Sequence, residues 1–130
     1  MKEWIIIFII LIIIFGGALY IQNYLNKSSK NIISNLKELK AKIEEAQSTE
    51  NRETIKKEVN KLYDEWSETE EKWAVIVFHS ELDLIETAFI KMKSEIENGE
   101  LSKSIEELET AIFLVNHIYE TEKFCLKNVF

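Results

Sequence analysis

The chain has 130 residues, with 16 Lys and Arg against 23 Asp and Glu, a formal net charge of −7, no proline, three glycines and one cysteine. The acidic balance argues against a nucleic-acid partner, and the lone Cys125 excludes an intramolecular disulfide and reads as a packing residue. With so few breakers the chain can be helical nearly throughout, and beyond its apolar start it is long enough for one small domain only.

Trp4 to Ile21 holds no charged residue and consists almost entirely of Ile, Leu and Phe. Eighteen residues of helix at about 1.5 Å each span roughly 27 Å, close to the hydrocarbon thickness of a bilayer. Trp4, Tyr20 and Tyr24 stand where interfacial rings belong, and Lys2 and Lys27 mark the water on either side. Residues 1–24 therefore read as a single-pass transmembrane anchor in contact with membrane lipid. The competing reading is a secretory signal cut after Ala18, since Gly16, Gly17 and Ala18 supply small residues. Lys27 and Lys30, with no acid before Glu38, favour a cytoplasmic carboxyl side by the positive-inside rule. The short amino tail favours an exporting signal anchor instead, and by a small margin the soluble part is placed on the extracytoplasmic side.

Residues 25–50 form a juxtamembrane helix, with Leu25, Ile32, Leu36, Leu39, Ile43 and Ala46 on one apolar face. This helix can continue the membrane helix directly. A bend is expected between Gln47 and Asn51, where turn-type residues interrupt the pattern. From Lys27 to Lys61 there are nine basic and six acidic residues, whereas Leu62 to Phe130 has six basic and sixteen acidic. The basic part thus adjoins the membrane, as anionic headgroups favour.

Residues 51–130 are expected to form a helical bundle built on a long central helix. Ile55, Val59, Leu62, Trp66, Thr69, Trp73 and Ile76 alternate spacings of four and three, a coiled-coil-like seam that calls for a helical partner. Phe78, Leu82, Ile85, Phe89, Met92 and Ile96 form a second series displaced by two residues, so the helix either twists or breaks near His79 and Ser80. Unbroken from Ile55 to Ile96, it would be a stalk of roughly 60 Å. Asn98 and Gly99 give the clear stop, a turn at 98–100. A carboxyl-terminal helix follows, with Leu101, Ile105, Leu108, Ile112, Val115, Tyr119, Leu126 and Val129 on its apolar face. The fold class is all-α: an amino-terminal transmembrane helix followed by a small antiparallel bundle.

The densest polar group is His79, Glu81, Asp83 and Glu86. His79, Asp83 and Glu86 share a helical face at i, i+4 and i+7, a spacing that makes them weak metal-ligand candidates. The Glu-x-x-His pair of di-metal bundles is missing, so a hydrogen bond from His79 to Asp83, tuning recognition, is the simpler expectation. Trp66 and Trp73 lie seven apart on one stripe and read first as core, and the acidic run Asp64, Glu65, Glu68, Glu70 and Glu71 reads as solvent face. There is no Gly-rich phosphate loop, no His-Glu-x-x-His and no Cys-x-x-Cys, so neither an enzyme nor a cofactor is expected.

The amino-terminal anchor, the pattern Trp66-x6-Trp73-x5-His79-x-Glu81-Leu82-Asp83 and the ending Asn128-Val129-Phe130 together resemble an uncharacterised family. Its members are small single-anchor helical membrane proteins of spore-forming anaerobic bacteria, with no assigned activity, cofactor or catalytic residue. The resemblance implies context: a neighbouring multi-span membrane protein of the YetF-like type as a partner. The resulting expectation is a non-enzymatic accessory protein of an envelope or spore membrane, binding that partner or itself through its seams, with Trp66, Trp73, His79 and Asp83 at the contact. The alternative is a sensor bundle taking a small ligand or cation near Trp66, Trp73 and His79.

Overall fold

The computed structural model describes residues 1–46 and 52–129, with the side chains of 124–129 excepted. Four helices account for nearly all of it: α1 (Lys2–Glu45), α2 (Arg52–Trp73), α3 (His79–Glu97) and α4 (Leu101–Val129). The all-α class and the bundle are as expected, and no strand occurs among the described residues. The bend expected at Gln47–Asn51, and the side chains of Cys125, Leu126 and Val129, lie outside the described residues.

α1 runs unbroken for 44 residues and has two different parts. Residues 1–17 are exposed throughout, so most of the apolar run presents its side chains outward. Among the described residues α1 is the one helix long and apolar enough to cross a membrane. From Leu25 the same helix buries Leu25, Ser29, Ile32, Leu36, Leu39 and Ile43, a strict four-three series in which Ser29 fills the gap left by the bulky residues. Each fully buried Leu or Ile of this kind contributes about 1.5–3 kcal/mol by leaving water.

Among the described residues α1 packs on α2 and α4 and α3 on the same two, while the backbones of the diagonal pairs stay farther apart. The four helices therefore close a ring in which each sits beside its neighbours in sequence, and α4 completes it against α1. Cross-links fix the directions: Lys42 pairs with Glu58, Asn35 Nδ2 donates to Glu65 at 3.1 Å, and Trp73 Nε1 donates to Ser28 Oγ at 2.9 Å. As α1 numbers fall, α2 numbers rise, so α2 returns antiparallel toward the end of the bundle from which the apolar run emerges. We call this the exit end.

The central segment breaks. α2 stops at Trp73 and α3 starts at His79, joined by a turn over 74–78, so the stalk geometry does not arise. The second seam closes with Val77 buried, while Ile76 is half-buried and Phe78, assigned by periodicity to the next face, is exposed. At the far end, α3 stops as expected. Gly99 takes φ +80°, its N–H donates to Ile96 O at 3.1 Å, and Glu100 N–H donates to Glu95 O at 2.8 Å. These are the two bonds of a Schellman ending, which needs a left-handed residue at Gly99.

α4 differs from expectation in phase. Its buried line is Ser104, Leu108, Ala111, Val115 and Ile118, while Leu101, Ile105, Ile112 and Tyr119 flank it half-buried. Two small residues sit on the line because the facing helices come close there, and the larger side chains wrap the edges. Ser104 satisfies its hydroxyl within the helix, donating to Leu101 O at 2.6 Å.

Candidate functional site

Four α2 residues, Tyr63, Trp66, Glu70 and Trp73, recur at three, four and three, and so lie along one helical face. On α3, Glu86 and Phe89 lie one turn apart and meet them. The result is an aromatic and carboxylate cluster near the exit end of the bundle.

Trp66 and Phe89 stack with ring centroids 5.4 Å apart and planes 5° from parallel, and Trp73 meets Trp66 edge-on at 5.9 Å and 86°. Tyr63 leans on Phe89 at 6.5 Å, and Lys93 Nζ sits 5.1 Å above the Tyr63 ring. Such pairings of aromatic faces, edges and cations each add of order 0.5–1.5 kcal/mol beyond burial. Glu86 accepts from both polar tips: Trp66 Nε1 donates to Oε2 at 2.8 Å and the Tyr63 hydroxyl donates to Oε1. One carboxylate thereby satisfies two aromatic donors that burial would otherwise leave costly.

Glu70 stands next to this carboxylate. Burial, then the negative charges of Glu86 and Asp83, push its pKa above the usual carboxylate value, while His79 acts in the opposite sense. Tyr63 is held above its ordinary value, first by its hydrogen bond to Glu86 and then by burial. Chemically, the cluster can take up a proton at Glu70 and so relieve the repulsion between α2 and α3. At the exit end, burial and the Glu81 charge likewise raise the Glu122 carboxyl on α4.

Trp66 and Trp73 are 1% and 0% exposed, as a core reading expects. His79, the first residue of α3, and Asp83 are both exposed. The hydrogen bond expected from His79 to Asp83 is not formed. The charge facing His79 is Glu70 of α2, and the backbone carbonyl of Asp83 accepts from Thr87 Oγ1 at 2.7 Å. Glu86 turns inward to Tyr63 and Trp66, away from any shared site with His79 and Asp83. Among the described residues no group of three or more His, Cys, Asp or Glu side chains is gathered closely enough to hold a metal ion.

Glu70 and Tyr63 are the residues that sequence reasoning missed. The solvent-face reading of the acidic run fails at Glu70, half-buried against α3, and at Glu65, half-buried and accepting from Asn35 Nδ2 on α1. The position of Glu70 between Trp66 and Trp73 at four and three was the available signal. His117 is exposed and stacks on Phe113 at 5.9 Å, a boundary histidine on the outer face of α4. A surface groove between α1 and α2 is bordered by Asn35, Lys42, Glu58, Lys61 and Glu65, of which Lys42 pairs with Glu58 and Asn35 with Glu65.

The profile of a family described as a domain of unknown function, DUF4363, matches residues 19–129, which covers the bundle and the last turn of the apolar run. No curated protein and no solved structure matches the chain.

Proposed function

The chain belongs to the DUF4363 family of unknown function, and from its own architecture we propose that it is a non-enzymatic, membrane-anchored accessory protein whose bundle docks a partner at the bilayer surface. One observation carries the reading: α1 passes without a break from an exposed apolar run into the buried seam beginning at Leu25. An apolar surface of that size is costly in water and favourable in lipid. A continuous helix also fixes the bundle relative to the membrane, as a positioned subunit requires. Retention of the run, rather than removal after Ala18, is part of this proposal, as is an extracytoplasmic bundle.

The seams of all four helices are turned inward, so the contact with a partner falls on outer surfaces. His79 and Asp83 are exposed on the rim, and Leu84, Ile90 and Phe113 are exposed apolar side chains on the outer faces of α3 and α4. Trp66 and Trp73 serve the contact only by holding the rim in place. A multi-span membrane protein of the YetF-like type is the proposed partner, and a second copy of the chain is the alternative. The close packing of Trp66, Trp73 and Phe89 speaks against a ligand cage there.

The test is affinity purification of the tagged full-length protein from native membranes in mild detergent, with intact-mass measurement and a His79→Ala variant alongside. An uncut chain that resists carbonate extraction and brings down a stoichiometric membrane protein, less of it in the variant, is the expected result. A chain cut after Ala18 and released by carbonate would overturn the anchor. Recovery of monomer alone would overturn the accessory role.

A further inference from the structure

Five consecutive apolar residues, Ala74 to Phe78, connect α2 to α3, with no Gly, Pro, Asn, Asp or Ser among them. A connection bathed in water is normally built from those turn residues, and β-branched Val75, Ile76 and Val77 are poor substitutes for them. Val77 is buried in the core, but Val75 is 88% exposed and Phe78 is 78% exposed. Apart from Met1 and the apolar run, these are the two most exposed large apolar side chains described.

Their place in the fold gives the exposure a meaning. Trp73 is bonded to Ser28, and pairings further along α1 and α2 keep the same antiparallel register, Asn35 with Glu65 and Lys42 with Glu58. Carried a few residues on, that register sets Val75 and Phe78 beside the stretch of α1 between Ile21 and Asn26. This is where the apolar run ends and Tyr24 stands. The tips of the connection and the end of the apolar run therefore lie at one level, at the exit end.

The backbone of the connection bonds most of its N–H groups to the preceding turn of α2. Ala74 N–H donates to Glu70 O at 2.8 Å, Val75 N–H to Lys72 O at 3.4 Å, and Ile76 and Val77 N–H both to Trp73 O at 2.8 Å, so four of the five N–H groups of the connection are bonded within the chain. The Phe78 carbonyl accepts from Glu81 and Leu82 N–H at 3.1 and 3.3 Å. The carbonyls of residues 74–77 and the Phe78 N–H take part in none of these bonds, and the headgroup boundary still holds the water that satisfies them.

We propose that the connection between α2 and α3 is a second membrane contact, in which Val75 and Phe78 dip into the headgroup and acyl boundary beside α1 and seat the bundle on the bilayer. The occupant is the lipid interface. It is continuous with the surface through which α1 passes, and an aromatic ring flanked by aliphatic residues is what that boundary accepts. With α1 alone the bundle could swivel about one helix axis, whereas a second contact some distance from that axis fixes its rotation and tilt. The proposal rests on the membrane-anchored reading, and its test separates the two.

The experiment uses the full chain in a Cys125→Ser background, reconstituted in vesicles of phosphatidylcholine and phosphatidylglycerol. One environment-sensitive fluorophore is attached through Val75→Cys, Phe78→Cys, Ile12→Cys in the apolar run, or Asn98→Cys at the far end, and lipids carrying acyl-chain quenchers at a shallow and at a deep position are then added. The expected result is loss of fluorescence at 75, 78 and 12, none at 98, and a blue-shifted emission at 75 and 78. Quenching at 12 with 75 and 78 behaving like 98 overturns this proposal and leaves the anchor standing. The same result with crosslinking of 78 to a protein also overturns it, in favour of a protein contact. Absence of quenching at 12 overturns the anchored reading and this proposal with it. Circular dichroism of each variant confirms the fold, which substitutions at exposed positions leave intact.

Discussion

The indole N–H of Trp73 donates to Ser28 Oγ at 2.9 Å, joining residues 45 apart in sequence and tying the last turn of α2 to α1 at the exit end. Ser28 remains available to donate in turn to Tyr24 O at 2.8 Å, so the chain of bonds ends on the backbone of α1. Trp73 is fully buried, and its N–H has no water to fall back on.

Ser28→Ala removes the acceptor while leaving the buried donor, which costs about 1–3 kcal/mol. Trp73→Ala also empties the space against Trp66 and costs about 3–5 kcal/mol. Denaturant unfolding of the reconstituted protein should rank the two in that order. Equal, negligible shifts would mean that the bond contributes nothing.

Glu86→Ala strips both Tyr63 and Trp66 of their acceptor and should destabilise more than Ser28→Ala, since two donors are orphaned at about 1–3 kcal/mol each. Glu86→Gln keeps an acceptor oxygen and relieves the repulsion on Glu70, so it should cost less than Glu86→Ala. Indole emission should move to the red in Glu86→Ala as the Trp66 environment loosens.

The carboxyls of Glu70, Glu95 and Glu122 all have folded-state pKa values above the usual 4.5, each chiefly through burial. For Glu95 the buried Oε2 has no hydrogen-bond partner. The native state therefore binds protons more tightly than the unfolded state at these groups. Below the unfolded value all three are neutral in both states and no penalty applies. As the pH rises from about 4.5 through the raised values, the native state loses stability, and the full cost is present above them. Glu70→Gln should thus be more stable than wild type at pH 7 and converge with it at acid pH. A constant difference at all pH values would show that Glu70 does not titrate in that window.

Gly99→Ala places a Cβ at φ +80°, although the nearest atom, Arg52 Nη1, lies at an ordinary 3.5 Å. The cost is conformational rather than steric against a neighbour, about 1 kcal/mol, and Gly99→Asn should recover part of it. A larger loss would point to displacement of Arg52.

Periodicity made α1 legible because its seam is carried by Leu25, Ile32, Leu36, Leu39 and Ile43, bulky residues that announce themselves. It failed by one position on α4, where Ser104 and Ala111 occupy the line of closest approach and bulkier neighbours drew the eye to the flank. The break between α2 and α3 was open to reading as a twist, because Val-Ile-Val-Phe carries no turn signal. Glu65 and Glu70 are hidden in a run whose Asp64, Glu68 and Glu71 do face water, since composition cannot separate a half-buried carboxyl from exposed ones. The pairing of Glu86 with Tyr63 and Trp66 depends on the chain reversal at 74–78 and could not precede it.

Because the ring is closed only by α4 against α1, the order of synthesis matters. α1, α2 and α3 can assemble as each emerges, since neighbours in sequence are neighbours in space and such local contacts form quickly. Until α4 arrives, the sides of α1 and α3 that it will cover stay open. The slot accepts any α4 of matching phase, including that of a neighbouring copy reaching over from the reversal at Asn98 and Gly99. Exchange of the fourth helix between nascent chains is therefore the characteristic error of this topology, and the tight ending of α3 disfavours it by turning α4 back onto its own bundle.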